Sequence, residues 1–133
     1  MAETTHVLVV EDNPVNQELV VDILSGHGFE VETASTAQEA FDAVKNRNFD
    51  LILMDISLPG MDGLEAVRRL KADPATAAIP CIALTAHAMA EDVERSRQVG
   101  CTAHVTKPFR IQELLTVVEQ VLHPSEPPSE GPG

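Results

Sequence analysis

Short apolar runs alternate along the chain with longer segments in which apolar residues recur at helical spacing. Two runs, at 7–10 and 51–54, contain no polar residue, and each ends at a carboxylate. Such a run predicts a strand buried on both faces, which is typical of parallel sheets. Weaker runs at 79–84 and 102–106 predict two more strands. At 29–34, apolar residues and Thr alternate with Glu, which predicts an edge strand with one solvated face.

The segments between these runs carry helix signals. Asn13 is a favoured N-cap, Pro14 suits the first helical position, and Thr36 can cap a second helix. Five alternations of strand and helix predict βαβ crossovers, and therefore an α/β fold with a parallel sheet and helices on both faces. The predicted helices cover about 14–24, 37–44, 64–71, 91–99 and 111–122.

The chain shows no internal repeat and no domain boundary before its last residues. Residues 123–133 consist of Pro, Ser, Glu and Gly after an initial His, and such a segment cannot bury a core. The sequence therefore predicts one domain over 1–122, followed by a disordered tail at 123–133.

Composition and charge exclude several classes of function. The net charge is -12 with only nine Lys and Arg, which argues against binding to nucleic acid. No apolar run is long enough to cross a membrane and no signal peptide is visible, so we expect a soluble, cytoplasmic protein without a membrane partner. Cys81 and Cys101 lack the spacing of a zinc site, and we interpret them as small core residues.

Polar residues follow four of the predicted strands, namely Glu11-Asp12, Asp55, Thr85 and Lys107. Because the carboxyl ends of parallel strands share one edge of the sheet, we expect these side chains to lie together. Several carboxylates in one pocket repel each other unless a cation lies among them, and Mg²⁺ prefers such oxygen ligands. A lysine and a threonine suit phosphoryl oxygens, and an aspartate can accept a phosphoryl group. The residues predict a Mg²⁺-dependent phosphoryl acceptor at Asp55.

Four motifs cover the predicted strand ends. They are Val-Glu-Asp at 10–12, Leu-Met-Asp at 53–55 with Leu-Pro-Gly-Met-Asp-Gly after it, Leu-Thr-Ala at 84–86 and Lys-Pro-Phe at 107–109. With these motifs, the sequence resembles over residues 6–122 the receiver domain of bacterial two-component response regulators. This resemblance implies a flavodoxin-like, doubly wound sheet of five parallel strands in the order 2-1-3-4-5 with five helices. It also implies a phosphoacceptor domain, not an enzyme in its own right.

The resemblance also implies roles for individual residues. A histidine kinase or a histidine phosphotransfer protein would phosphorylate Asp55. Thr85 and Lys107 would contact the phosphoryl oxygens, and Lys107–Pro108 would be a cis peptide. The Mg²⁺ ligands would be Glu11, Asp12, Asp55 and the main-chain carbonyl of Ser57.

A conformational switch is expected from the same resemblance. Thr85 would move towards the phosphoryl group, and an aromatic residue on the fifth strand would then turn inwards. That position is His104 here, where Tyr or Phe is commoner, and a histidine would make the output sensitive to pH near neutrality. Ser57 and His87 flank the acceptor, and we hypothesise that they set the lifetime of the phosphorylated state.

Alternatives remain both outside and inside the family. A flavin or nucleotide binder would need glycines after the first strand, and an aspartate-nucleophile phosphohydrolase would need a general acid and usually a cap. The sequence disfavours both. Within the family, the chain is predicted to be a stand-alone regulator, a monomer or weak homodimer that signals through protein contacts. It can equally be a phosphorelay intermediate or phosphate sink, or a receiver excised from a hybrid histidine kinase.

Overall fold

Five parallel strands form one sheet, and a helix follows each strand. The computed structural model describes residues 5–56, 63–85, 90–106 and 110–122, with the side chains of 90–93 left aside. The order β2-β1-β3-β4-β5 confirms the predicted α/β, flavodoxin-like arrangement. The elements are β1 His6–Val10, α1 Pro14–Ser25, β2 Glu30–Ala34, α2 Ala37–Asn46, β3 Leu51–Asp55, α3 Gly63–Ala72, β4 Cys81–Thr85, α4 Ala90–Gln98, β5 Ala103–Thr106 and α5 Ile111–Leu122.

The register brings the carboxyl ends of the strands to one level. Val10 of β1 pairs with Met54 of β3, Asp55 of β3 with Leu84 of β4, and Thr85 of β4 with Thr106 of β5. The residues that follow these pairs therefore meet at a single edge, which we call the carboxyl edge.

Side chains of alternating strand positions form two cores, one on each face of the sheet. On one face, Ile52 and Met54 pack with apolar residues of α2 and α3. On the other, Leu51 and Leu53 pack with α1 and α5. β3 and β4 are buried along their whole length, whereas Thr33 on the edge strand β2 is exposed instead of facing inwards as its alternation predicted.

The predicted helix caps at the first two helices are present. The Asn13 side chain accepts hydrogen bonds from the amides of Val15 and Asn16, at 2.9 and 3.1 Å. Thr36 Oγ1 accepts from the amide of Glu39 at 3.1 Å. Each cap satisfies backbone donors that the first helical turn cannot pair, and so fixes where α1 and α2 leave the sheet.

β4 begins two residues later than predicted, at Cys81 instead of Ile79. Pro80 has no amide hydrogen to donate, although its carbonyl accepts from Ile52 at 3.0 Å. The chain before the strand is held by Lys71 of α3, whose Nζ donates to the carbonyls of Ala77 and Ile79 at 3.1 and 2.6 Å. A side chain of another element thus anchors the start of β4.

Both cysteines are buried, as expected of core residues. Burial raises the pKa of the Cys81 thiol to about 11 and that of Cys101 to about 12. Thiols with such values stay protonated near neutral pH and are poor nucleophiles.

The structure does not test the predicted tail, and it tests the absence of a membrane span only over the residues it describes. The tail at 123–133 lies outside the described residues, and the division at residue 122 stays a prediction. Within the described ranges, no helix has both the length and the apolar character needed to cross a bilayer.

Candidate functional site

Three carboxylates meet where β1 and β3 end. One carboxylate oxygen from each of Glu11, Asp12 and Asp55 lies within 4.8 Å of the others. Glu11 and Asp55 are only 1% and 2% exposed, whereas Asp12 faces solvent. The cluster is therefore buried on the sheet side and open on the other.

The chain around Glu11 is held from three directions. Its amide donates to the carbonyl of Ala34 at 2.9 Å, which extends the pairing with β2. Its Oε2 accepts from the amide of Asn13 at 3.1 Å, and its carbonyl accepts from Gln17 Nε2 at 2.9 Å. The sequence does not predict this role for Gln17, because nothing in the pattern of α1 distinguishes it from the other polar residues of that helix.

Thr85 and His104 lie on the β4–β5 side of this edge. Thr85 ends β4 and is 4% exposed, and His104 is half-buried on β5. His104 pairs with Ala83, which precedes Thr85 by two residues, so His104 and Thr85 belong to the same face of the sheet. A displacement of Thr85 would therefore change the packing on the face of the sheet that carries His104.

Electrostatics decide what this cluster can hold. Carboxylates that close repel one another, and burial removes the water that would screen them. A small divalent cation with oxygen ligands relieves the repulsion, and Mg²⁺ commonly takes one or two carboxylates while keeping waters. The three oxygen donors and the exposure of Asp12 fit this requirement.

Several predicted site residues lie outside the described residues. They are Ser57, His87, Lys107 and Pro108. Their predicted roles, as the carbonyl ligand, the lifetime residues, the phosphoryl contact and the cis peptide, therefore stay predictions. The structure brings Glu11, Asp12 and Asp55 together and buries Thr85 at the end of the neighbouring strand.

Comparisons with known proteins agree with this arrangement. The sequence is 40% identical over 119 residues to the polar-differentiation response regulator DivK of Brucella ovis, a match that covers 90% of this chain and 97% of that protein. The fold superposes on the chemotaxis protein CheY4 of Vibrio cholerae with a TM-score of 0.86 and 30% identity, covering 90% of this chain and 99% of the other.

A receiver domain that belongs to a kinase is also similar. The receiver domain of a sensor histidine kinase from Pseudomonas aeruginosa has a TM-score of 0.82 and 34% identity, over 90% of this chain and 98% of that one. That structure is described with a magnesium ion coordinated in its active site cleft. Finally, the response regulator receiver domain family matches residues 7–119. The chain therefore belongs to the response regulator receiver domains of two-component signalling systems.

Proposed function

We propose that Asp55 is the phosphoacceptor of this receiver domain, and that Mg²⁺ held by Glu11, Asp12, Asp55 and the main-chain carbonyl of Ser57 is required for the transfer. The observation that carries the proposal is the convergence of three carboxylate oxygens within 4.8 Å at the carboxyl edge. When bound, Mg²⁺ supplies charge that offsets the negative charge of the incoming phosphoryl oxygens.

In the transfer, a carboxylate oxygen of Asp55 forms a bond to phosphorus. The phosphorus–nitrogen bond of a phosphohistidine on the donor breaks, and the released imidazole nitrogen takes up a proton. The products are an aspartyl phosphate and a neutral histidine. The Thr85 hydroxyl donates a hydrogen bond to one phosphoryl oxygen, and Lys107 places its positive charge beside another.

The donor is a histidine kinase or a histidine phosphotransfer protein, and the output is a change in protein contacts. Thr85 moves towards the phosphoryl group, and His104, on the same sheet face, turns inwards. Ser57 and His87 set how long the aspartyl phosphate lasts. The protein works in the cytoplasm, as a monomer or weak homodimer.

The test compares Asp55, the last residue of β3, with Asp50, which directly precedes the strand. Wild type, Asp55→Asn and Asp50→Asn are incubated with acetyl phosphate and Mg²⁺, and intact mass is followed with time. Asp50 lies at the opposite end of the strand, where its carboxylate accepts from the amide of His6 at 2.9 Å. We expect one phosphoryl group on wild type and Asp50→Asn, none on Asp55→Asn, and none on wild type in the presence of a chelator. Labelling of Asp55→Asn to the wild-type level would refute the assignment.

Output and relay are separated by a second measurement. The phosphorylated protein is mixed with a histidine phosphotransfer domain, and loss of the phosphoryl group from Asp55 is followed by mass. Rapid back-transfer favours a relay intermediate or a sink. Slow back-transfer, together with a phosphorylation-dependent partner, favours a terminal regulator.

A further inference from the structure

Gly63, the first residue of α3, lies against the main chain of the phosphoacceptor strand. It is buried, and its amide donates to the carbonyl of Ile56 at 3.4 Å. A Cβ atom at this position would lie 2.5 Å from Ile56 Cα and would overlap the carbonyl oxygen of Asp55. Real Cβ atoms essentially never approach other atoms to under 3.0 Å, so any side chain at 63 requires main-chain movement.

The glycine is needed here for space and not for its backbone conformation. Gly28 and Gly100 have positive φ angles of 90° and 113°, a region that other residues rarely adopt. Gly63 is not among the positive-φ glycines of the described residues, so its own backbone would accept alanine. The obstacle to a side chain is therefore the main chain of Asp55 and Ile56.

The opposite side of this main chain is also held. The amide of Ile56 donates to the carbonyl of Leu84 at 3.1 Å, and Asp55 pairs with Leu84 across the sheet. The peptide that follows Asp55 thus lies between α3 on one side and β4 on the other. It cannot give way to a side chain at 63 without straining the pairing immediately before Thr85.

We propose that Gly63 is a positioning residue for phosphoryl transfer. By letting α3 begin directly on the main chain of residues 55 and 56, it fixes where the Asp55 carboxylate lies relative to Glu11 and Asp12. The proposal rests on the proposed function, because it assigns the placement of the same acceptor. It adds to that function the requirement that residue 63 have no side chain, so that α3 can contact the main chain beside Asp55.

Gly63→Ala shifts the backbone at Asp55 and so spoils the ligand geometry. Loss of support behind a metal ligand typically weakens metal affinity by about 10- to 100-fold. A misplacement of about 1 Å can slow a positioned reaction by roughly 100-fold. We expect changes of this size in the dissociation constant of Mg²⁺ and in the rate of labelling by acetyl phosphate.

Two control variants separate positioning from general destabilisation. Val67→Ala removes buried volume from the same helix without adding atoms near Asp55. Gly100→Ala introduces strain at the other end of the sheet, where the atoms nearest to the added Cβ belong to the flexible side chain of Lys71. Both should lower the free energy of unfolding while leaving Mg²⁺ binding as in wild type.

The experiment measures three quantities on wild type, Gly63→Ala and the two controls. They are the Mg²⁺ dissociation constant from amide shifts in NMR titrations, the labelling rate from intact mass, and the free energy of unfolding from urea titration. The proposal is supported if Gly63→Ala alone weakens Mg²⁺ binding and slows labelling. It is overturned if Gly63→Ala binds Mg²⁺ as wild type does, or if the controls lose affinity to the same extent.

Failure of the proposed function gives a different result. If wild type itself takes up no phosphoryl group at Asp55, the acceptor assignment fails, whatever Gly63→Ala does. If Gly63→Ala does not fold in buffer, all four proteins are measured in trimethylamine N-oxide, which favours the folded state through exclusion from the protein surface. In that solvent, weaker Mg²⁺ binding by Gly63→Ala alone still supports the proposal, and binding equal to that of wild type still overturns it.

Discussion

Charged residues are arranged differently at the two ends of the parallel sheet: opposite charges are paired at one end, and carboxylates cluster at the other. At the amino end, a small cavity of about 130 Å³ is lined by acidic, basic and apolar side chains together. Arg47 Nε lies 3.4 Å from Glu32 Oε1, and both side chains are about half-exposed. At the carboxyl edge, three carboxylates cluster together, and two of the three are buried. Charges that are balanced and hydrated need nothing further, whereas clustered charges of one sign create a site for a cation.

The largest expected effect comes from relieving the repulsion at the carboxyl edge. With chelator present, Asp12→Asn should raise the free energy of unfolding by about 1–4 kcal/mol, the range for like charges about 4 Å apart between bulk water and a protein surface. Urea unfolding followed by circular dichroism measures this, since the chain has no Trp or Tyr for fluorescence. A loss of stability in Asp12→Asn would contradict the picture of mutual repulsion.

Adding Mg²⁺ should raise the stability of wild type relative to that of Asp12→Asn. At a concentration of about 100 times its dissociation constant, an ion that binds only the folded state stabilises it by about 2.7 kcal/mol. Wild type should gain this amount and Asp12→Asn much less, while Asp50→Asn at the amino end should respond as wild type does. An equal gain in Asp12→Asn would place the ion elsewhere.

The amino end should behave in the opposite sense and more weakly. Glu32→Gln removes the partner of Arg47, so the free energy of unfolding should fall by about 0.2–1 kcal/mol, as for other exposed ion pairs. The change should shrink in high salt and should not depend on Mg²⁺. Stabilisation by Glu32→Gln would mean that the two ends of the sheet do not differ as described.

The smallest expected effect concerns Glu65 on α3, where opposite charges again lie together. Hydrogen bonds from Arg68 and then Arg69 lower the pKa of Glu65 from 4.5. Because the pKa of Glu65 is lower in the folded state, the stabilisation from its hydrogen bonds to Arg68 and Arg69 is complete above about pH 4.5. It is lost as the pH falls through the lower, folded-state value. Comparing the acid side of the stability curve for wild type and Glu65→Gln tests this, and identical curves would count against it.

Most of the fold follows from local patterns in the sequence. The unbroken apolar runs before Glu11 and Asp55 predicted strands buried on both faces, and every residue of both runs is buried. Asn13 and Thr36 marked the helix starts because cap residues act on their own next few amides. The start of β4 was less readable, since a proline removes one donor without fixing which residue pairs first.

The site was predictable to the extent that it consists of strand ends. Topology alone brings Glu11, Asp12 and Asp55 to one edge, so their clustering needed only the strand positions. Gln17 and Gly63 could not be found in this way. Gln17 contacts the main-chain carbonyl of Glu11 in the loop before its helix, and Gly63 matters for the space that it leaves empty.

The lysine that anchors the start of β4 limits which part of that strand can move. Lys71 of α3 donates hydrogen bonds to the carbonyls of Ala77 and Ile79, which lie just before β4. The strand that ends at Thr85 is therefore attached to α3 at its amino end. If phosphorylation of Asp55 displaces Thr85, as proposed, we expect this anchor to hold the start of β4 in place. The movement would then be confined to the carboxyl end of the strand.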